Sequence, residues 1–249
     1  MADGLGTFFS SHPRIALGYS GGTDSAFLLH EAVERGADVL PVMVRTAFCT
    51  PVEVEDASRL CSDEGLDLVV IDLDVLSSPE ISSNGADRCY HCKRAMFSAL
   101  ITEAAERGYR EVMDGTNASD PEGYRPGMRA IRELGVLSPL KECGITKEDV
   151  RRMSREAGLL TWDRATNSCL ATRVDTGIPL NRDMLGLVLR SEEAVASLGF
   201  TGFRVRTDGM HARLQTTAAQ HGEAERRWDE LRSALAPMFR DVRLDDVTR

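Results

Sequence analysis

The strongest chemical signal in this 249-residue chain is SGGTDS at residues 20–25. It follows an apolar stretch, RIALGYS, and opens a run whose apolar spacing suits a helix. Gly21 and Gly22 carry no side chain, so the backbone can turn tightly there and approach a ligand. The N–H groups of Gly21, Gly22, Thr23 and Asp24 then form an anion cradle at the positive end of a helix dipole. Ser20 and Ser25 add hydroxyl donors. A carboxylate is out of place in a pure anion site, so Asp24 points to a divalent cation bridging to phosphate oxygens. The motif is neither of the familiar glycine-rich fingerprints, and it lacks the lysine that reaches the outer phosphates in a GxxxxGKS loop. The same residues could also serve as an ordinary strand-to-helix turn. A second segment, DGTNASD at 114–120, follows another apolar stretch. Open parallel sheets bind ligands after their strands, so Gly115, Thr116, Asn117 and Asp120 are candidate contacts, although DGTN alone is also an ordinary turn.

The cysteines are the other candidates. Cys89 and Cys92 sit in RCYHCK, a spacing open to half a metal site, a redox pair, or two plain thiols at a helix start. Cys169 lies in NSCLATR, a polar segment with Arg164 and Arg173 near in sequence, and nearby cations raise the thiolate fraction. Cys61 falls on a helix face and reads as a small buried hydrophobe, while Cys49 and Cys143 stay open. Arg125 and Arg129 in GYRPGMRA, with Arg173, Arg204 and Arg206, are candidate cations for an anionic substrate. Arg204 and Arg206 share one strand face by period-two spacing, which suits a phosphate clamp. Glu192 and Glu193 read as a solvated helix face.

The elements needed to position these residues alternate. Strands are expected at 14–20, 38–45, 66–73 and 111–115, and helices at 24–35, 52–65, 92–108 and 146–158. That alternation indicates a parallel sheet covered on both faces. Pro41 weakens the second strand, because proline removes a ladder donor. Thr146 is the expected N-cap of the helix at 146–158, with Asp149 three residues on. Residues 160–181 form a long polar connection. Beyond it the pattern becomes helix (183–198), two strands (201–206 and 210–216), one helix (217–235) and a last strand (238–243).

Composition narrows the class. Hydrophobic residues make up 42% and charged residues 28%, as in a soluble globular protein. The formal net charge of -9 gives no bulk attraction for nucleic acid, so a phosphate ligand needs a local basic site. No apolar run is long enough for a membrane span, and the N-terminus lacks the pattern of a secretory signal. Six cysteines in a chain this long are too sparse for a disulfide framework, so a cytoplasmic protein with reduced thiols or a metal site is expected.

Taken in order, SGGTDS, RCYHCK, DGTNASD, GYRPGMRA, SPL with the following TKEDVR, and NSCLATR resemble the LarE family, ATP-dependent sulfur transferases of the PP-loop (N-type ATP pyrophosphatase) superfamily. The resemblance implies a Rossmann-like α/β pyrophosphatase domain over 1–178, and a smaller C-terminal domain over 179–249 for substrate binding and oligomerisation. It implies ATP and Mg2+ at Ser20–Ser25, Gly115, Thr116 and Asn117, with the adenine against Val44. It implies adenylation of a carboxylate of pyridinium-3,5-biscarboxylate mononucleotide, then sulfur insertion, for nickel-pincer nucleotide synthesis. Arg204 and Arg206 would bind the substrate phosphate, and Glu192 and Glu193 would lie near a metal in the oligomer. One form of the family sacrifices a single cysteine, matching Cys169. Another carries three cysteines that hold a 4Fe–4S cluster with an extra sulfide, matching Cys89, Cys92 and Cys169, and this form is expected here. The implied partners are a small nucleotide substrate, a sulfur or sulfide donor and further copies of the chain, without nucleic acid or membrane. Competing readings are sacrifice of Cys169, a thiolase with another acceptor, a glutamine-fed amide-forming pyrophosphatase, and a nucleotide or iron–sulfur sensor without turnover.

Overall fold

The computed structural model describes residues 3–120, 126–164, 168–246 and 248. The elements run α1 (Asp3–Ser11), β1 (Arg14–Gly18), α2 (Thr23–Glu34), β2 (Asp38–Arg45), α3 (Pro51–Asp63) and β3 (Val69–Asp72). Then come α4 (Pro79–Ser82), α5 (Arg88–Glu106), β4 (Val112–Met113), α6 (Pro126–Glu133), α7 (Pro139–Glu142) and α8 (Lys147–Glu156). The last are α9 (Arg182–Ser197), β5 (Arg204–Thr207), β6 (His211–Gln215), α10 (Ala218–Arg226), α11 (Trp228–Leu235) and β7 (Asp241–Leu244).

The chain divides into two compact units, residues 1–75 with 87–167, and residues 76–86 with 168–249. The first is α/β, with a parallel sheet in the order β3-β2-β1-β4. Successive side chains on its strands point to opposite faces. Ile15, Leu17, Met43 and Met113 enter one core with α1, α2 and α8 residues. Ala16, Val42, Val44 and Val112 enter another with Phe97, Leu100 and Ile131. A parallel sheet buried on both faces explains why these strands read as short apolar runs. Pro41 does not break β2: it pairs opposite Leu17, one residue before pairing with β3 begins at Val42. The chain moves outward from β1 to β2 and β3, then returns to place β4 on the other side of β1. The strand order therefore reverses between β1 and β4, where open parallel sheets bind ligands at their carboxyl ends.

The second unit is α+β. Its sheet runs β5-β6-β7, antiparallel and then parallel. Val195, Phe200, Val205, Leu214, Leu231 and Leu235 lie in its core. The single helix expected over 217–235 is two. Arg227 leaves the helical region at φ -104 and ψ 22, with its guanidinium over the Phe200 ring and paired to Glu223 and Glu230. Among the described residues, no helix is long and apolar enough to cross a membrane.

Candidate active site

The carboxyl end of β1 leads straight into SGGTDS. Gly21 holds φ +69, a left-handed conformation that favours glycine, and a Cβ there would come within 3.2 Å of Ala57. Gly22 is the N-cap of α2 and makes no side-chain cap, so the helix opens on backbone donors. The Ser20 and Ser25 hydroxyls lie 3.1 Å apart, and Ser25 Oγ also donates to the Gly22 carbonyl at 3.1 Å. Thr23 turns away from this cluster: its buried hydroxyl donates to the Thr161 carbonyl at 2.8 Å and braces the loop. Arg164, expected as a cation near Cys169, donates instead to the Gly21 carbonyl at 3.3 Å and to Asp56 at 3.0 Å.

DGTN follows β4. Buried Asp114 accepts from the Thr116 hydroxyl at 2.6 Å and the Ser138 hydroxyl at 2.8 Å, which fixes this loop. A Cβ on Gly115 would lie 3.1 Å from the Ser25 nitrogen and 3.3 Å from the Asp24 carbonyl carbon. A side chain there would push the two loops apart by a few tenths of an ångström. Asn117 Nδ2 crosses to Asp24 Oδ1 at 3.3 Å, joining the loops 93 residues apart in sequence. The other Asp24 oxygen accepts from Lys147 Nζ at 2.7 Å.

A cleft of about 630 Å³ opens over these loops, a size suited to a small ligand. Ser20, Gly22, Asp24 and Ser25 line it, with Gly115 and Thr116. Val42, Met43 and Val44 supply an apolar wall. Cys49, Cys89 and Lys93 also line it. Sequence reasoning missed Lys93, Lys147 and the fixing role of Asp114; Lys147 sits inside the TKEDVR segment but carries no local sign of its target.

Helix α5 begins at Arg88, four residues before the expected start, so Cys89 lies in its first turn and Cys92 in the next. Cys89 is exposed and accepts from Arg88 Nη2 at 3.3 Å. Cys92 is half-buried, its thiol 3.7 Å from Met96 Sδ. Cys61 is fully buried, and burial pushes its thiol up to about 12. Burial likewise raises Cys143, which packs against Gly4. No disulfide joins any of the six cysteines. Among the described residues, no three His, Cys, Asp or Glu side chains gather as a metal centre. Arg129 stacks over the Tyr90 ring at 3.8 Å, 3.5 Å from Glu133, and does not line the cleft. Arg125 lies outside the described residues.

In the second unit Cys169 is exposed and precedes a one-turn 3-10 helix, Leu170–Arg173. Arg173 is 4% exposed, pairs with Glu192 at 2.9 Å and donates to the Ser168 carbonyl. Glu192 also accepts from the Val205 nitrogen at 3.1 Å, so it is an internal strut and not the solvated residue expected. Glu193 is exposed. Arg204 and Arg206 lie two apart on β5, and Arg206 reaches Gln215 at 3.2 Å and the Thr172 carbonyl at 3.1 Å.

No family model matches the chain. It is 33% identical over 235 residues to the pyridinium-3,5-bisthiocarboxylic acid mononucleotide synthase of Lactiplantibacillus plantarum, covering 93% of this chain and 85% of that one. An uncharacterised protein of Synechocystis is 32% identical over 219 residues, or 88% and 82% of the two chains. The tRNA-specific 2-thiouridylase of Frankia alni is 29% identical over 202 residues, 66% of this chain and 57% of that one. With identity above 30% along nearly its whole length and a parallel sheet that feeds SGGTDS into its ligand crevice, the chain belongs to the LarE family of ATP-dependent sulfur transferases, within the PP-loop superfamily.

Proposed function

We propose that the protein adenylates a carboxylate of pyridinium-3,5-biscarboxylate mononucleotide with ATP and replaces its oxygen by sulfur, for nickel-pincer nucleotide synthesis. The observation that carries this reading is a single cleft lined by both the phosphate loop and Cys89. Carboxylate activation and a thiol then share one chamber.

The acceptor carboxylate oxygen attacks the α-phosphorus, the bond to the bridging oxygen breaks, and pyrophosphate departs. Ser20, Ser25 and the N–H groups of residues 21–24 hold the departing anion and stabilise its developing charge. Val42, Met43 and Val44 provide the apolar wall for the adenine. Asp24, with Asn117 beside it, is the carboxylate that would hold Mg2+, and the ion would neutralise phosphate charge. A sulfur nucleophile then attacks the acyl carbon, and AMP leaves with the oxygen.

Thiolates are the usual ligands of iron–sulfur clusters, and Cys89 and Cys92, one helical turn apart, fit as two of three. Cys169 of the second unit is the third ligand in this reading. Held there, a 4Fe–4S cluster would supply a sulfide as the nucleophile. Arg204 and Arg206 of the C-terminal unit clamp the acceptor phosphate, with Arg125 and Arg129 as further cations. Arg173 steadies the Cys169 loop through the Ser168 carbonyl. A sulfide donor and association of several copies complete this reading.

The exposure of Cys169 supports a second route. Its thiolate attacks the acyl carbon and expels AMP; loss of the Cys169 Cα proton with cleavage of the Cβ–S bond then releases the thiocarboxylate and leaves dehydroalanine. Anaerobic purification with an iron count and mass measurement separates the two. A brown protein with about four irons, lost on Cys89→Ser or Cys92→Ser while ATP binding stays, supports the cluster. A colourless protein whose Cys169 loses hydrogen sulfide after turnover overturns it in favour of sacrifice.

A further inference from the structure

Two buried hydroxyls of the first unit have no hydrogen-bond partner among the described residues: Tyr19 Oη and Thr161 Oγ1. Tyr19 is 3% exposed and Thr161 is 0% exposed. A buried polar group left without a partner costs free energy, so such groups point to something that fills the space beside them. Both residues line a second cavity, of about 110 Å³. Leu29 and Leu60 give it apolar walls, and Asp63 and Glu64 bring carboxylates to it. One Glu64 oxygen meets His30 Nδ1 at 3.0 Å. Two helices also end here. Helix α3 closes at Asp63 with Glu64 as its C-cap, and α8 closes at Glu156, just before Gly158, which lines the cavity too. Helix C-termini carry partial negative charge and favour cations. Arg164 acts on Tyr19 electrostatically, but its guanidinium is engaged by Asp56 and the Gly21 carbonyl. Burial, and next to it the Cys61 thiol, raises the Tyr19 hydroxyl, so Tyr19 stays neutral. The preference for positive charge therefore comes from the carboxylates and the helix ends.

We propose that this cavity binds a small primary alkylammonium ion, of about four to six non-hydrogen atoms by its volume. A primary ammonium carries three N–H donors, as the lysine head group does. The Tyr19 and Thr161 hydroxyl oxygens accept two of them, and a carboxylate of Asp63 or Glu64 accepts the third. The short hydrocarbon body lies against Leu29 and Leu60. Such walls suit a hydrocarbon better than a bare hydrated ion, and the carboxylates turn anions away. The place is significant, because the Thr161 carbonyl receives the Thr23 hydroxyl at 2.8 Å and Tyr19 leads directly into Ser20. The occupant thus sits behind SGGTDS and touches the residue that braces it. Binding makes hydrogen bonds and ion pairs only, and nothing in it depends on what the loop itself holds.

Butylammonium chloride titrated calorimetrically into the whole chain tests the site, with butanol as the control for the hydrocarbon body and ammonium chloride as the control for the charge. Tyr19→Phe and Thr161→Val each remove one hydroxyl while keeping the shape, and Leu60→Phe fills the cavity. Thermal unfolding checks that each variant folds. The wild type is expected to bind butylammonium saturably, with butanol and ammonium each weaker by about tenfold or more. Each hydroxyl deletion is expected to weaken butylammonium about three- to tenfold, the scale of one hydrogen bond, and Leu60→Phe to abolish its binding. A wild-type crystal soaked in butylammonium needs no variant, and should place the nitrogen within hydrogen-bond reach of both hydroxyl oxygens. The proposal is overturned by absence of saturable binding, or by affinity unchanged in both Tyr19→Phe and Thr161→Val. Butanol binding as tightly as butylammonium would also overturn it, as would a soaked crystal with ordered water alone beside the two hydroxyls.

Discussion

Cys61 and Cys89 are the same residue type in the same unit, and their surroundings separate them. Cys89 is exposed beside the cleft, whereas Cys61 is fully buried and its thiol is pushed up to about 12 by burial. Because the thiolate is the reactive form, Cys61 is inert in the native protein at neutral pH. Iodoacetamide at pH 8, followed by peptide mass mapping, should modify Cys89 and Cys169 first and Cys61 only after unfolding; equal rates at Cys61 and Cys89 would refute this. The same shift bears on stability. The folded state holds the Cys61 proton more tightly than the unfolded chain, whose thiol has an ordinary value of about 8.5. The contribution is therefore complete below about pH 8.5 and is lost as pH rises towards 12. Urea midpoints measured from pH 8 to 11 should fall more steeply for the wild type than for Cys61→Ala, which has no proton to lose.

Helix α8 shows how a local device serves a distant site. Thr146 Oγ1 accepts from the Asp149 nitrogen at 3.1 Å, and the Asp149 carboxylate accepts from the Thr146 nitrogen at 3.1 Å. The Thr146 hydroxyl, and after it the Thr146 N–H, donate to the Asp149 carboxylate and hold it below its usual range. Thr146→Ala should cost about 1 kcal/mol in urea unfolding, and Thr146→Ser should restore most of it. If alanine and serine behave alike, the cap contributes nothing. This cap was legible because a capping box is a pattern within four residues. So were strands β1 to β4, because a sheet buried on both faces prints short apolar runs on the sequence. The turn at SGGTDS, between β1 and α2, was legible for the same reason of locality. The break at Arg227 was not, since Arg227 closes α10 and opens α11 while reaching to Phe200, well back in the sequence. Nor was the Lys147–Asp24 pair, because nothing in TKEDVR names a partner 123 residues earlier. At the candidate site, therefore, the residues that follow strand ends could be read, and the cations that cross to them from other helices could not.

At the scale of the whole chain, the division into units is discontinuous, and one residue holds much of that arrangement. Leu76–Ala86 belongs with Ser168–Arg249, although Asp87–Asn167 intervenes. A linear reading places its boundary at one point near residue 178 and does not detach such a segment. Asn84 ties it in. Its amide nitrogen donates to the Asp175 and Ile178 carbonyls at 3.0 Å each and lies 3.4 Å from that of Val174. Its own carbonyl accepts from the Gly177 nitrogen at 2.9 Å, and Ser82 accepts from Leu180 at 2.7 Å. Asn84 is 1% exposed and sits at φ +56, a left-handed conformation that asparagine tolerates better than most residues. Asn84→Gly keeps the backbone at ease and removes only the amide, leaving buried carbonyls without their donor. That should cost roughly 2–3 kcal/mol. Asn84→Ala should cost about 1 kcal/mol more, because alanine resists the left-handed region. Hydrogen exchange provides the spatial check: amides of residues 174–180 should lose protection in Asn84→Gly while those of β1 and β2 keep theirs. Uniform loss across both units would mean that Asn84 supports the whole chain and not its own unit.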